Sequence, residues 1–310
     1  VGHLVVGDVY RPDFMIAGGR SDVCLQLLVE RARELGYSTE ALLHDADSEP
    51  RVTLDHADGG LFVDGRVIRP RACFIRMHVG ASEPERMDVL PRAPGWFAFA
   101  VGVVLADPEI AFFNRRLSSF AGVKMADLRL AQQLGLAVPA TIVSNDAAAI
   151  GTFAQRHADC VAKPVNGGGY CSAVASIDVE NLQRDGALPL PAFVQERLDY
   201  PEYRVYRIGK GVMVFRVDSQ QIDYRIDPAS AMVPVALEAT PVARQWPLLL
   251  RMSDILGLDF CAFDLKMRRA SGELCFMEVN SGPMFAAHDY ASGGALGRML
   301  LGELLRLNTA

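Results

Sequence analysis

The stretch from Asp259 to Asn280 constrains the chain most. Asp259 to Met267 is an apolar run with weak alternation, Arg268 to Gly272 is turn-forming, and Glu273 to Asn280 is a second run that ends polar, so the stretch reads as a β-hairpin. With Ala270, Ser271 and Gly272 as a three-residue loop, Asp264 lies directly across from Glu278. Asn280, two residues on, points from the same face. Two carboxylates and an amide oxygen converging on a sheet surface form an oxygen-only donor set, which suits Mg²⁺ or Mn²⁺ and not zinc. Like charges held so close call for a cation between them. Taken alone, the hairpin fits equally well two carboxylates that face solvent on a half-exposed sheet.

A chain of 310 residues, 50% of them apolar, can build two or three packed units. The formal charge is −6 and no block of like charge occurs, so no nucleic-acid partner is expected. Arginines are dispersed singly, which suits individual contacts to anions. Cys24, Cys73, Cys160, Cys171, Cys261 and Cys275 show no CxxC spacing, and free, mostly buried thiols in a reducing compartment are expected. The N-terminus reads without a signal peptide, and the longest apolar run, Trp96 to Ala106, is too short to span a bilayer. The expectation is a soluble cytoplasmic protein with no membrane partner; self-association is left open.

Leu4 to Val9 reads as a short buried strand, followed by a loop containing Ala17-Gly18-Gly19 and a helix capped by Ser21 and stopped by Gly36. A strand at Glu40 to His44 continues a doubly wound α/β pattern, without a GxGxxG fingerprint after the first strand. Asp64-Gly65 marks a hairpin, and Ala72 to Met77 is a strand with Arg76 near its carboxyl end, where open α/β sheets place ligand groups. A helix from Pro94 to Leu105 and a strand from Ile110 to Phe113 close this unit. Beyond Asn114 the pattern changes to a helix from Gly122 to Leu134, a strand at Thr141 to Ser144, a helix capped by Asp146, and a strand from Val161 to Pro164. That strand carries Lys163, an ammonium desolvated unless an anion meets it, and leads into Asn166-Gly167-Gly168-Gly169, whose backbone is free to wrap a phosphate. An antiparallel ladder follows, with strands at Ala192 to Leu198, from Pro201, and at Val212 to Val217. A polar segment at Asp223 to Asp227, a helix near Pro247 to Leu256 and a final helix from Ser292 to Leu307 complete the reading.

The order of these features resembles the ATP-grasp superfamily, and within it the branch of the ribosomal S6 glutamate ligase and the microviridin-type peptide maturases. The resemblance is best from Asn114 to Asn280. Lys124…Gly135…Pro139, Val161-Ala162-Lys163-Pro164 and Phe193-Val194-Gln195-Glu196 match its helix, strand lysine and hinge. Glu202-Tyr203-Arg204-Val205 stands where D-I-R-V is common, Asp218-Ser219-Gln220…Asp223-Tyr224-Arg225 looks like the maturases' S-Q…D-W-R, and Phe263-Asp264…Phe276-Met277-Glu278-Val279-Asn280 matches the metal signature. After Asn280 the chain departs from the maturase pattern: Ser281-Gly282-Pro283-Met284-Phe285 leads into His288-Asp289.

The resemblance implies an α/β chain, α+β in its C-terminal half. Its parts would be a Rossmann-like pre-ATP-grasp domain over residues 1–113, a central subdomain over 114–190 and a C-terminal subdomain with the metal site over 191–310. It implies ATP as cofactor, held by Lys124, Lys163 and the loop Gly167, Gly168, Gly169 at the phosphates, by Gln195, Glu196, Arg197 and Leu198 at the adenine, and by Glu202 at the ribose. Mg²⁺ (or Mn²⁺) would sit on Asp264, Glu278 and Asn280. The implied activity joins a carboxylate to an amine through an acylphosphate stabilised by Arg225, with Arg204 and Arg76 behind it; the substrate would be a small amino-carboxylate, an amino acid or a peptide. His288 reads as a packed surface histidine before it reads as a base. A kinase and an inert nucleotide-binding module are the alternatives.

Overall fold

The computed structural model describes residues 9–45, 49–55, 60–77, 92–118, 122–157, 159–165, 170–177 and 183–307. The first unit comprises β1 (Phe14–Gly19), α1 (Val23–Glu34), β2 (Thr39–His44), β3 (Val52–Asp55), β4 (Gly60–Val63), β5 (Arg66–Ile68), β6 (Ala72–Ile75), α2 (Ala93–Ala106) and β7 (Ala111–Phe112). Four of these strands form an all-parallel sheet in the order β2-β1-β6-β7, and β3-β4-β5 form a small antiparallel sheet beside it. Alternate residues of β1 bury on opposite faces. Phe14 and Ile16 pack with Leu25 and Leu28 of α1, whereas Met15 and Ala17 pack with Ala100, Val103 and Val104 of α2.

The first described strand is Phe14–Gly19, and residues 4–8 of the expected Leu4–Val9 strand lie outside the described residues. The glycines expected in a loop are packed strand instead. A Cβ at Gly18 would stand 2.5 Å from the carbonyl oxygen of Arg76, so only glycine allows β6 to approach. The cap of α1 is Asp22 and not Ser21: its Oδ1 accepts from the Cys24 and Leu25 amides.

The second unit holds α3 (Lys124–Gln133), β8 (Thr141–Asp146), α4 (Ala147–Arg156), β9 (Cys160–Pro164), β10 (Ser172–Ala173) and β11 (Ala187–Glu196). Its strands pair antiparallel in the order β10-β9-β11-β8. The third unit holds β12 (Asp199–Ile208), β13 (Gly211–Asp218), β14 (Ala231–Val235), α5 (Val242–Leu256), β15 (Phe260–Met267), β16 (Leu274–Asn280), α6 (Ala286–Ala291) and α7 (Ala295–Arg306). Its sheet runs β14-β13-β12-β15-β16. Strand β11 pairs with β8 and β9, and β12 begins the five-stranded sheet.

The five-stranded sheet has two unlike faces. Tyr203, Val205, Phe263, Leu265 and Phe276 bury against Leu128 of α3 and Leu249, Met252 and Leu256 of α5. On the other face Tyr206, Phe215 and Ala262 join Phe14 and Ile16 of the first unit and Leu296, Leu300 and Leu304 of α7 in one core. Each such side chain contributes roughly 1.5–3 kcal/mol on burial. Helix α5 ends at Gly257, φ 69°, where a Cβ would collide with the Arg116 carbonyl oxygen. All six cysteines are free, five of them buried. Among the described residues no helix is long and apolar enough to cross a membrane.

Candidate active site

Strands β12, β15 and β16 place the polar residues of the site on one sheet face. Arg204 pairs in register with Asp264, Glu202 with Lys266, and Asp264 with Glu278, so all five side chains emerge together beyond the apolar patch around Tyr206. The opposition of Asp264 and Glu278 is reached by a route other than the one expected. Near the turn Met267 pairs with Leu274 and Leu265 with Phe276, a loop of Arg269–Gly272 being closed by Arg268 N–H donating to Glu273 O. A bulge between Leu265 and Asp264 then absorbs Met277 and restores the Asp264–Glu278 pair.

Each carboxylate is met by cations. Arg204 Nη1 donates to Asp264 Oδ1 at 2.7 Å and Oδ2 at 2.8 Å, and Asn280 Nδ2 donates to Oδ2 at 3.1 Å. Lys124, at the start of α3, and Lys163, on β9, approach Glu278 Oε2 at 3.2 and 3.8 Å. The six residues come from five elements, α3, β9, β12, β15 and β16, so the fold assembles the cluster. Burial pushes Asp264 up, and Glu202 and Glu278 add to that against the pull of Arg204. Burial would push Glu278 up as well, but Lys163 and Lys124 outweigh it and hold it down. Two facing carboxylates driven apart in this way are what a divalent cation would bring back to a common ionised state. Among the described residues no group of three His, Cys, Asp or Glu side chains is placed to hold a metal, so the candidate set is Asp264, Glu278 and the amide of Asn280. Hard oxygen donors fit Mg²⁺.

Glu202 and Lys266 form a second buried pair at 3.1 Å; Lys266 Nζ also donates to Ile222 O at 3.3 Å and stands 4.0 Å over the Tyr200 ring. Lys266 was legible in principle, because it follows Asp264 by two residues on the same strand. Gln195 is buried, its amide donating to Thr141 Oγ1 at 2.9 Å, and Glu196 is tied to Arg268 at 2.8 Å. The amides of Glu196 and Arg197 donate to the carbonyls of Ala140 and Asp159. Leu198 is buried at the turn into β12. Gly167, Gly168 and Gly169 lie outside the described residues.

The arginines differ. Arg225 is half exposed, forks onto Asp223 through Nε (2.8 Å) and Nη2 (2.5 Å), and lies 5.2 Å over the Tyr170 ring. Arg76 is buried and engaged at every nitrogen: Nε on Asp22 (3.0 Å), Nη1 on the Gly282 and Pro283 carbonyls (3.1 and 2.7 Å), and Nη2 on Met284 Sδ (3.0 Å). Its position at a parallel strand's carboxyl end thus serves a clasp, which ties the chain after Asn280 to the first unit. His288 is buried rather than on the surface. Tyr206 donates its hydroxyl proton to Met284 O (2.8 Å), its oxygen lies 3.1 Å from His288 Nδ1, and Arg204 Nε donates to it at 3.4 Å. Burial, helped by Arg204, lowers the His288 pKa to about 3. Asp127, one turn after Lys124, is buried with neither carboxylate oxygen hydrogen-bonded among the described residues; burial and Glu278 push it up to about 7. Its burial on a helix that also carries the exposed Met125 gives no sequence signal.

A three-unit chain with a lysine-bearing helix, a lysine-bearing central strand and an Asp/Glu/Asn hairpin has the ATP-grasp fold. Solved structures agree over nearly the whole chain. ATP-grasp ligase PsnB complexed with a minimal precursor superposes with a TM-score of 0.75 at 24% identity, over 96% of this chain and 99% of that one. The macrocyclase MdnC bound with precursor peptide MdnA from Microcystis aeruginosa MRC gives 0.70 at 19%, over 96% and 99%. VanG D-Ala:D-Ser ligase from Enterococcus faecalis gives 0.64 at 14%, over 97% and 100%. No family model and no curated protein matches the chain.

Proposed function

We propose that this chain is an ATP-dependent carboxylate–amine ligase. A substrate carboxylate oxygen attacks the γ-phosphorus of ATP, the bond to the bridging oxygen breaks and ADP leaves. An amine then attacks the acyl carbon of the acylphosphate, the C–O bond to phosphorus breaks, and phosphate departs as the amine proton passes to solvent. The observation that carries this reading is the convergence of Lys124 and Lys163 on Glu278 beside the Arg204–Asp264 pair. Such preset cations suit charge developing on transferred phosphoryl oxygens.

In this reading Lys124 and Lys163 move from Glu278 to nucleotide phosphates, and Gln195 to Leu198 border the adenine. Glu202 accepts from the ribose, and Gly167 to Gly169 close over the phosphates. Asp264, Glu278 and Asn280 would hold Mg²⁺, which when bound offsets charge on the β and γ phosphates. Arg225 and Arg204 hold the acylphosphate oxygens; Arg76 acts through the segment it clasps. The first unit is the Rossmann-like pre-ATP-grasp domain. PsnB and MdnC are complexed with precursor peptides and VanG is a D-Ala:D-Ser ligase, which supports a peptide or amino-acid substrate class.

The test is ADP release with Mg²⁺ and pairs drawn from amino acids, dipeptides and small amino-carboxylates. Release of ADP and phosphate that needs both a carboxylate and an amine is expected. A stable phosphorylated product would place the chain among kinases instead.

A further inference from the structure

A cavity of about 820 Å³ lies between α2, the start of α3 and the end of β16. Its lining is mostly apolar, with Asn114 and Ser281 among the polar residues on it. Met77, Leu105, Leu117 and Met125 line it while remaining 44–51% exposed, an unusual gathering of large apolar side chains left facing solvent in one place. The arginines on its wall are occupied. Arg76 is held as described above, and Arg115 donates from Nη1 to the Val104 carbonyl at 2.7 Å and from Nη2 to the Ile110 carbonyl at 2.5 Å. Lys124 and Glu278, paired at 3.2 Å, and Asn280, which donates to Asp264, also line the cavity. None of Gln195, Glu196, Arg197, Leu198 or Glu202 lines it, so it is distinct from the adenosine position in the ligase reading.

Resting on that reading, we propose that the carboxylate donor is an acid with a large apolar body, aromatic or branched aliphatic. The cleft takes the body, and the carboxylate lies at Lys124, Glu278 and Asn280, within reach of the γ-phosphate. The size is that of a pocket for a drug-sized ligand, larger than one small side chain requires. A water-facing, mostly apolar wall selects an amphipathic acid, because a polar body placed against it would lose its hydration without gaining hydrogen bonds.

The experiment compares 4-phenylbutyrate and 2-naphthylacetate with N-acetylglutamate, a carboxylate with a polar body. Two readouts are taken on the full chain: equilibrium binding by calorimetry, and hydroxamate formation with Mg-ATP and hydroxylamine as a general amine. The variants are Val101→Trp, which fills the cleft from α2, and Leu105→Glu, which places a charge on its wall at an exposed position and so keeps the test alive should the first fail to fold. The apolar acids are expected to bind and react with a Kd and KM at least about tenfold below those of N-acetylglutamate. Both variants should erase that advantage and leave ATP affinity within about twofold. Equal use of N-acetylglutamate, or variants with unchanged KM, overturns the apolar-donor proposal and leaves the ligase reading intact. Binding of the apolar acids that both variants abolish, without hydroxamate from any acid, overturns the ligase reading and with it the donor role.

Discussion

One nitrogen of Arg204, Nη1, reaches both oxygens of Asp264, at 2.7 and 2.8 Å, and both side chains are buried. A metal ligand on an open sheet surface would contribute little to stability; Asp264 is different, because removing its charge strands a buried guanidinium. Asp264→Asn is therefore expected to abolish ADP release and also to destabilise the chain by about 3 kcal/mol. The double variant Arg204→Met/Asp264→Leu should recover most of that stability and remain inactive. Denaturant titration beside an ADP assay checks both; a recovered activity in the double variant would remove this pair from the mechanism.

Arg76 and Arg225 should separate cleanly. With every nitrogen of Arg76 engaged by Asp22 and the 282–284 segment, Arg76→Lys should lower stability by about 1–3 kcal/mol through buried groups left unpaired. Arg225 is half exposed and its ion pair to Asp223 is worth at most about 1 kcal/mol. Arg225→Lys should instead leave stability unchanged and lower kcat by a factor on the order of 10², since a point charge cannot reproduce a forked contact. Thermal melts and steady-state kinetics on the two variants decide; parental kcat in Arg225→Lys would reduce that residue to a surface ion pair.

His288 sets a pH dependence. Its pKa in the folded chain is lowered to about 3 by burial and by Arg204, so below the ordinary histidine range the unfolded chain binds a proton that the folded chain does not. The stability this group contributes is complete above about pH 6.5 and is lost as pH falls toward 3. His288→Phe should flatten the stability profile in that window relative to the parent, with other carboxylates titrating alike in both. Identical slopes would mean that His288 charges in the folded state.

The hairpin was legible because its donors sit at period-two spacing on strands joined by a recognisable turn; the Asp264–Glu278 pair expected from a three-residue loop is reached instead through a four-residue loop and a bulge. The bulge at Met277 was not, since an extra residue is set by how Phe276 and Val279 pack on the far face. Arg76 shows a different limit. Its place at a strand end was readable, but its partners Gly282, Pro283 and Met284 lie more than 200 residues away and enter only through tertiary contact. The same holds for His288, whose burial depends on Tyr206 of β12 and Phe215 of β13, strands far from it in sequence. Gly18 reads as loop from its type alone, because sequence does not show the strand that passes against it.

If the substrate carboxylate attacks ATP, one of its oxygens must leave in the phosphate, and one isotope measurement reads this. With a carboxylate substrate labelled by ¹⁸O in both oxygens, phosphate released in a single turnover is analysed by mass spectrometry. Passage through an acylphosphate transfers one labelled oxygen from the carboxylate to each phosphate released, and unlabelled ADP accompanies it. Product formed with no label in the phosphate would show that the carboxylate never bonded to phosphorus, and would contradict the ligase mechanism proposed for this chain.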